Sequence, residues 1–364
     1  MLAINEDRML ADLRALAEFG KAGTGVNRPA FSDAARAIRA GRHGKRHSPA
    51  DAGVMATASL SSCPACGALA EPADNFCEAC GRALADGSGA SPSARNHVHV
   101  DLGAVAGVTD RGHQHERNED AMALALAETP GGLASFAVVC DGVSTSTRPD
   151  EASQVAAETA LRVLAEALQA GAAIENALQT AAVSADAAVR DLDEGSVNAP
   201  ATTFMAGVAT AAAVSVCWVG DSRAYWLPAD DAVAAQLLTC DDSLAEELAA
   251  AGALTEDEAL TSPHAHVLTR WLGADAEPIQ PHVAAIQPSS PGVLLLCSDG
   301  LWNYEPAAEG LRRLAGAAPF PDLAGAADAL VAFALEAGGH DNVTVVLSAV
   351  PPLTTVTTDH EGTA

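Results

Sequence analysis

The sequence predicts an α+β fold, with β-sheets inside and α-helices outside, preceded by a small zinc ribbon with four cysteine ligands. Eight apolar runs are predicted as strands, near residues 98–109, 121–126, 135–140, 202–212, 214–219, 223–227, 293–297 and 343–349. Two long Ala-rich helices are predicted near 150–170 and 172–192, and shorter ones near 243–251, 256–260 and 322–337. Because the long helices interrupt strands that otherwise follow one another as hairpins, the order indicates an α+β sandwich.

Charge is distributed unevenly along the 364 residues, whose formal net charge is −27. Residues 1–60 hold nine Lys and Arg against six Asp and Glu, and the rest of the chain holds eleven against 41, a balance of −30. Such a surface should repel nucleic acids and membranes, because both are bound through neutralisation of anionic groups by Lys and Arg. No apolar run reaches the roughly 18–20 residues of a membrane helix, and no secretory signal is recognisable, so a cytoplasmic location is expected.

Composition divides the chain into five parts. The sequence predicts a disordered N-terminal segment, a zinc ribbon, a linker rich in Gly, Ser, Ala and Pro, a large folded domain and a disordered Thr-rich tail, at 1–60, 61–82, 83–97, 98–350 and 351–364. The large domain, at about 250 residues, is long enough to bury a sizeable core.

Two Cys-x-x-Cys pairs predict a structural zinc site. The four ligands would be Cys63, Cys66, Cys77 and Cys80. A glycine follows each pair and lets the backbone turn around the ion, and four thiolates at about 2.3 Å close a tetrahedral site with no open position for catalysis. A redox Cys-x-x-Cys is the alternative, but it explains one pair and not two. The pattern is similar to that of short zinc ribbons, whose role here would be that of an adaptor.

Two distant aspartates end apolar runs and begin an Asp-Gly turn. They are Asp141 and Asp299. A carboxylate at the end of a buried strand is held rigidly at a cleft, and hard cations prefer oxygen ligands. Asp-Gly is also a common turn, as in Asp86-Gly87, which lies in a Gly/Ser/Ala-rich stretch with no strand before it. Glu119-Asp120 and Asp341 add further carboxylates that only a fold can bring together, so the sequence predicts a Mg²⁺ or Mn²⁺ site.

Six motifs occur in order along the large domain. They are Thr109-Asp110-Arg111-Gly112 with Arg117-Asn118-Glu119-Asp120, Asp141-Gly142, Ala201-Thr202-Thr203, Gly220-Asp221-Ser222-Arg223, Ser298-Asp299-Gly300-Leu301-Trp302 and Gly339-His340-Asp341-Asn342-Val343-Thr344. Their order and spacing resemble the type 2C (PPM) metal-dependent protein phosphatases of bacterial type. The resemblance implies a four-layer α-β-β-α sandwich with two Mn²⁺ or Mg²⁺ ions. It also implies hydrolysis of phosphoserine and phosphothreonine in proteins by direct attack of a metal-bridging hydroxide, in opposition to a bacterial Ser/Thr kinase.

The resemblance further implies roles for the carboxylates. Asp141 would bridge both metals, with the carbonyl oxygen of Gly142 on one of them, and Asp299 and Asp341 would hold the second. Two divalent ions about 4 Å apart suit this reaction, because they lower the pKa of a shared water and clamp the attacking and leaving oxygens.

Three other acidic residues are assigned supporting roles by the same resemblance. Glu119 and Asp120 would bind or orient water on the metals, and a third metal ion would rest on Asp221 together with Asp299. Asn303 stands where members with a third metal often carry aspartate, so a third site is expected to be weak.

The substrate-binding residues depart from the family pattern. In the family an arginine four residues before the glutamate binds the phosphate, and here His115 replaces it. The candidate side chains for phosphate binding are Arg111, His115 and Arg117, and the metal ions themselves are the alternative. If this segment is extended, Arg117 points to the other strand face. No histidine follows Asp141-Gly142, which leaves His115 or a metal-bound water to protonate the leaving oxygen. The predicted catalytic residues are Asp141, His115 and Glu119. The alternative for the histidines of this segment is a position at a strand edge without a function.

The missing arginine also prompts an alternative function. A weakly active or inactive member of the same fold would act as a phosphoprotein-binding scaffold, although a pure binder has little physical need to retain the carboxylates. Residues 239–275 correspond to the flap region of the family, here called the flap, which either selects the substrate or forms an ordinary pair of surface helices.

Overall fold

The computed structural model of the protein describes residues 61–62, 69–70, 95–255, 258–259, 262, 264, 266–316 and 322–350. The predicted N-terminal segment, the C-terminal tail and most of the linker lie outside these residues, as do the zinc-ligand candidates Cys63, Cys66, Cys77 and Cys80. The chain divides into two units, one of which spans Phe31–Asn96 while the other includes His97 and the residues after it. In the smaller unit, β1 (Ser61–Ser62) pairs antiparallel with β2 (Leu69–Ala70).

The larger unit alternates strands and helices. Its strands are β3 (His97–Asp101), β4 (Val105–Asp110), β5 (Asp120–Thr129), β6 (Gly132–Asp141), β7 (Ala201–Thr202), β8 (Phe204–Thr210), β9 (Val214–Val219), β10 (Arg223–Pro228), β11 (Gln236–Leu237), β12 (Leu272–Gly273), β13 (His282–Ile286), β14 (Gly292–Cys297) and β15 (Val343–Val350). Its helices are α1 (Pro149–Gln169), α2 (Ile174–Asp191), α3 (Leu244–Ala250), α4 (Asp299–Trp302), α5 (Ala308–Leu314) and α6 (Leu323–Glu336). In the described part of the chain, no helix is both long and apolar enough to cross a membrane.

Two antiparallel sheets carry most of these strands. The five-stranded sheet has the order β13-β9-β8-β6-β5, and the six-stranded sheet has the order β11-β10-β14-β15-β4-β3. The last strand, β15, lies between β14 and β4 in the middle of the six-stranded sheet. The residues that precede Val343 therefore lie at the beginning of a central strand. Strands β7 and β12 form a separate two-stranded ladder.

Three large apolar cores connect the helices and sheets of the described residues. One core takes side chains from both sheets, including Met205 of β8 and Leu294 and Leu296 of β14. A second core packs α1 and α2 on the five-stranded sheet, and a third packs α5 and α6 on the six-stranded sheet. The alternation along β14 places Leu295 in the third core, because successive side chains of a strand point to opposite faces. Full burial of each such Leu contributes about 1.5–3 kcal/mol.

Several strands differ from the sequence predictions, including β11 and β12, which were not predicted. The run 98–109 is not one strand but two, β3 and β4, because the chain reverses at Gly103, whose φ of 80° is favourable only for glycine. There the backbone N–H of Leu102 donates to Val105 O at 2.9 Å. The edge strand β13 was missed because its sequence, His-Val-Ala-Ala-Ile, contains few large apolar residues.

Candidate metal centre

The longest hairpin of the structure brings two of the predicted carboxylates side by side. Asp120 is the first residue of β5, Asp141 is the last of β6, and the antiparallel register sets them directly opposite each other. Both are buried. The backbone N–H of Asp141 donates to Thr203 Oγ1 at 3.0 Å, and its carbonyl oxygen accepts from the N–H of Thr203 at 2.8 Å. These contacts fix the end of β6 to the neighbouring strand.

The six-stranded sheet supplies the other two carboxylates. Asp299 begins α4 after the end of β14, and Asp341 precedes the start of β15, the strand paired with β14. The charges of Asp341 and Asp299 both act on Asp120. Burial is the main cause that raises the pKa of Asp120 to about 7, hydrogen bonds from two hydroxyls oppose it, and these two negative charges raise it further. The fold therefore gathers the carboxylates at one edge between the sheets.

The donor set at this edge fits divalent cations. Asp120 Oδ1 and Glu119 Oε2 are buried, and within the described residues neither accepts a hydrogen bond. A buried carboxylate oxygen without a donor is costly, and a cation or its bound water would satisfy it. The described residues contain no group of three His, Cys, Asp or Glu side chains that is already arranged as a formed metal site. The carboxylates therefore lie at one edge, but no three of these described side chains already surround a common metal position.

Gly142 is required by the close approach of three backbone segments. Its N–H donates to the carbonyl oxygen of Glu119 at 3.1 Å. A Cβ at this position would lie 2.5 Å from Pro149 O and 2.7 Å from Glu119 O. The Asp-Gly sequence, predicted as a metal-binding turn, serves a packing need, because any side chain would separate β5, β6 and the start of α1.

Asn342 joins the acidic segments of the two sheets. Its Oδ1 accepts from the backbone N–H of Glu119 at 2.7 Å, and its Nδ2 donates to the carbonyl oxygen of Arg111 at 2.7 Å. The side chain is 3% exposed. One amide thereby holds the segment that carries Glu119 and Asp120 against the segment that carries Asp341.

The candidates for phosphate binding occupy different places. His115 Nε2 lies 3.1 Å from Asp341 Oδ1, and Arg111 Nη1 donates to the carbonyl oxygen of His115 at 2.5 Å. Arg117 is half exposed and contacts Glu119 Oε1 through Nε at 3.2 Å and Asp150 Oδ1 through Nη1 at 3.3 Å. Residues 115–119 are not part of a strand, so the alternation of strand faces does not direct Arg117 away from the carboxylates.

Asp221 lies beside Trp302, which belongs to one of the six motifs, and Trp302 contacts a histidine that the sequence did not single out. The indole Nε1 of Trp302 donates to the carbonyl oxygen of Asp221 at 2.9 Å. The flap residue His266 stacks on Trp302 with ring centroids 5.9 Å apart, and its Nδ1 is 3.9 Å from Asp299 Oδ2. The available signal was Trp302, three positions after Asp299, because its side chain is buried with α4.

More than half of the sequence matches the model of a known protein family. Residues 109–327, more than half of the chain, match the profile described as protein phosphatase 2C. The chain belongs to this family. The match confirms the resemblance found in the six motifs and includes Asp120, Asp141 and Asp299, although it stops before Asp341.

Individual members of the family match most of the larger unit. The chain is 32% identical over 254 residues to the serine/threonine phosphatase stp of Listeria innocua serovar 6a, a match that covers 66% of this chain and 92% of that protein. The PPM Ser-Thr phosphatase MsPP from Mycobacterium smegmatis, solved in complex with cacodylate, is 32% identical with a TM-score of 0.55, and the match covers 69% of this chain and 100% of that one. The catalytic domain of the serine threonine protein phosphatase PstP, solved with two manganese ions, is 27% identical with a TM-score of 0.54, covering 68% and 97%. The larger unit thus has the mixed α and β fold of the PPM phosphatases.

Proposed function

We propose that the protein is a metal-dependent protein serine/threonine phosphatase. Membership of the protein phosphatase 2C family supports this function, and the relatives are named serine/threonine phosphatases. The observation that carries it is the meeting of carboxylates from opposite sheets at one edge, Asp120 and Asp141 from one and Asp299 and Asp341 from the other. Its substrates are phosphorylated proteins, and a Ser/Thr kinase is the partner whose products it would reverse.

The cation ligands follow from this placement. The proposed ligands are Asp141, the carbonyl oxygen of Gly142, Asp299 and Asp341, with Glu119 and Asp120 binding or orienting water and Asp221 reserved for a third ion. All of these donors are oxygen atoms, which favours Mg²⁺ or Mn²⁺. When bound, the cations would neutralise phosphate charge and lower the pKa of a water molecule. The structural relative solved with two manganese ions supports two such positions.

Arg117 is the proposed phosphate-binding residue among the three candidates. It is half exposed and already lies against Glu119 and Asp150 at the acidic edge, so a substrate phosphate would take over its guanidinium from these carboxylates. Arg111 is instead engaged with the carbonyl oxygen of His115. His115, held by Asp341, remains the proposed donor of a proton to the leaving serine or threonine oxygen.

Three further predictions are kept as proposals. The three apolar cores support a four-layer sandwich for residues 98–350. Strands β1 and β2 pair with each other, and the first Cys-x-x-Cys pair stands between them in the sequence, which supports a zinc ribbon at residues 61–82. Cys140, Cys217, Cys240 and Cys297 are free thiols, which suits a reducing compartment such as the cytoplasm.

Hydrolysis of a phosphothreonine peptide by the full chain tests the function. Turnover is expected with Mn²⁺ or Mg²⁺, none with chelator, and a loss on the order of 100-fold or more in Asp141→Asn, which removes a negative ligand without changing the size of the side chain. A scaffold would bind the phosphopeptide, bind Mn²⁺ and show no turnover in the wild-type protein. That result would replace the enzyme by the phosphoprotein-binding alternative.

A further inference from the structure

Asp120 is held by hydroxyl groups that come from the opposite sheet. Its Oδ2 accepts from Ser298 Oγ at 2.7 Å and from Thr344 Oγ1 at 2.8 Å. Asp120 begins β5 of the five-stranded sheet, whereas Thr344 lies in β15 and Ser298 follows β14, both of the six-stranded sheet. Ser298 and Thr344 are completely buried. The two hydroxyls therefore join the sheets at the edge where the carboxylates meet.

The hydrogen bonds to Asp120 belong to a longer buried chain with a defined direction. Thr344 Oγ1 lies 2.7 Å from Thr109 Oγ1, its partner across β15 and β4, and Asn118 Nδ2 donates to Thr109 Oγ1 at 2.8 Å. Because a hydroxyl carries one proton and Thr344 gives its proton to the carboxylate, Thr109 must donate to Thr344. The chain runs from Asn118 through Thr109 and Thr344 to Asp120, and bonds aligned in this way polarise one another.

The two carboxylate oxygens of Asp120 differ in their hydrogen-bond partners. Oδ2 has two hydroxyl donors, while Oδ1 is buried and accepts no hydrogen bond from the described residues. The side chain cannot rotate without losing both donors, so Oδ1 is the atom left for a cation or its water. Ser298 Oγ is fixed in turn, because it accepts from the backbone N–H of Thr344 at 3.0 Å.

We propose that Thr344 and Ser298 are positioning residues for the divalent cations, acting through Asp120. Their hydroxyls set the orientation of this carboxylate and the separation between the acidic residues of the two sheets. The inference rests on the proposed function only in requiring that Mg²⁺ or Mn²⁺ bind at this edge. Groups that orient metal ligands in this manner contribute roughly 10- to 100-fold to metal affinity.

Thr344→Val in the full chain tests the proposal, because valine keeps the shape of threonine and removes the hydroxyl. Mn²⁺ affinity, measured by calorimetric titration of the metal-free protein, is expected to fall by roughly 10- to 100-fold. Thr344→Ser retains the hydroxyl and should recover most of the affinity. Thr109→Val is the matched control, since the same substitution one bond further along leaves both donors to Asp120 in place and should cause a much smaller loss.

A purely structural role would give a different pattern. If Thr344→Val lowers the free energy of unfolding in urea but binds Mn²⁺ as tightly as the wild type, the proposal is wrong. Ser298→Ala provides an independent variant if Thr344→Val does not fold, with the same loss expected. Ser135→Ala removes a buried hydroxyl of β6 that has no hydrogen-bond partner within the described residues, so it should leave Mn²⁺ affinity unchanged.

The same titrations separate this proposal from the proposed function. Metal-dependent turnover with unchanged Mn²⁺ affinity in Thr344→Val would overturn the positioning role alone. Wild-type protein that binds Mn²⁺ without turnover would overturn the enzyme alone, and the affinities of the variants would still decide the role of the hydroxyls.

Discussion

Two groups of aspartates in the protein have different kinds of partner. At the start of the flap, Asp241 is paired with Arg223, and Asp242 with Arg270 and His282. At the sheet edge, Asp120 receives two hydroxyls, and no Arg, Lys or His of the described residues lies within ion-pair distance of it. The two flap aspartates are therefore paired with basic side chains, whereas the carboxylate of Asp120 is held by hydroxyls. Its neighbours at the edge do have basic partners, because Glu119 contacts Arg117 and Asp341 contacts His115.

The pair formed by Arg223 and Asp241 has the geometry of a structural ion pair. Arg223 contacts Asp241 through Nε at 3.0 Å and Nη2 at 2.8 Å, both side chains are 7% exposed, and the guanidinium lies 3.8 Å from the centroid of the Trp302 ring. Trp302 in turn binds the backbone of Asp221. This pair supports one wall of the candidate site without offering charge to a ligand.

The largest expected effect comes from breaking this pair. Asp241→Asn keeps the shape but leaves the Arg223 guanidinium buried without a carboxylate, and the free energy of unfolding in urea should fall by about 3–5 kcal/mol. Mn²⁺ affinity of the folded variant should remain that of the wild type. The double variant Arg223→Met with Asp241→Leu serves as the control, because it removes both charges and should recover much of the lost stability. A stability unchanged in Asp241→Asn would show that the pair is not structural.

The pH dependence of the stability of the metal-free protein reports on Asp120, the buried aspartate at the sheet edge. Burial raises the pKa of Asp120 from 3.8 to about 7. Between these two pH values, the folded state keeps a proton on Asp120 that the unfolded state has already released. Stability of the metal-free protein is therefore fullest below about pH 4 with respect to this group and is lost as pH rises to 7, by up to about 4 kcal/mol at 1.36 kcal/mol per pH unit.

Urea unfolding with chelator at pH 5 and pH 7.5 measures this slope, and Asp120→Asn should flatten it. Added Mn²⁺ should reverse the trend, because the cation binds the ionised carboxylate and competes with the proton. A slope that is the same in wild type and Asp120→Asn would assign the pH dependence to other groups.

A smaller effect is expected from the backbone of the edge. Gly142→Ala places a Cβ against Pro149 O and Glu119 O, so β5 and β6 must shift apart at a cost of about 1–3 kcal/mol. The same shift should weaken Mn²⁺ binding, since it moves Glu119 relative to Asp141. Gly131→Ala is the control, because the nearest atom to its Cβ is Thr129 Oγ1 at 3.7 Å and the substitution should change stability by less than about 0.5 kcal/mol. Equal stabilities of the two variants would contradict this explanation.

The sequence predicted the individual strands and turns of this site better than the contacts between them. Asp141 and Asp299 were found because an apolar run that ends in Asp-Gly is a local signal, and β9 was predicted at its observed bounds. The turn at Gly103 was missed because apolar residues continue at every second position from Val98 to Val108, so the periodicity shows no break.

Partners that are distant in sequence gave no local signal. The contact between Thr344 and Asp120 joins residues 224 positions apart, and that between Thr344 and Thr109 joins residues 235 apart. A threonine inside the apolar run Val343–Leu347 was the only hint that a buried polar group needs a partner. Likewise, the expectation that Arg117 points to the other strand face depended on an extended segment, and residues 115–119 are not part of a strand.

The smallest expected effect tests whether burial makes one flap ion pair stronger than the other. Arg270 is half exposed and its Nη1 lies 3.1 Å from Asp242 Oδ1, but Asp242 also accepts from the backbone N–H of Gly220 at 3.0 Å. Arg270→Gln should therefore lower the free energy of unfolding by no more than about 1 kcal/mol, and by less at about 1 M salt, where exposed pairs are screened. The cost of Asp241→Asn should persist at the same salt concentration, because burial protects that pair. If both costs vanish in salt, the two flap pairs are equally exposed to solvent, and burial does not set the structural aspartates apart.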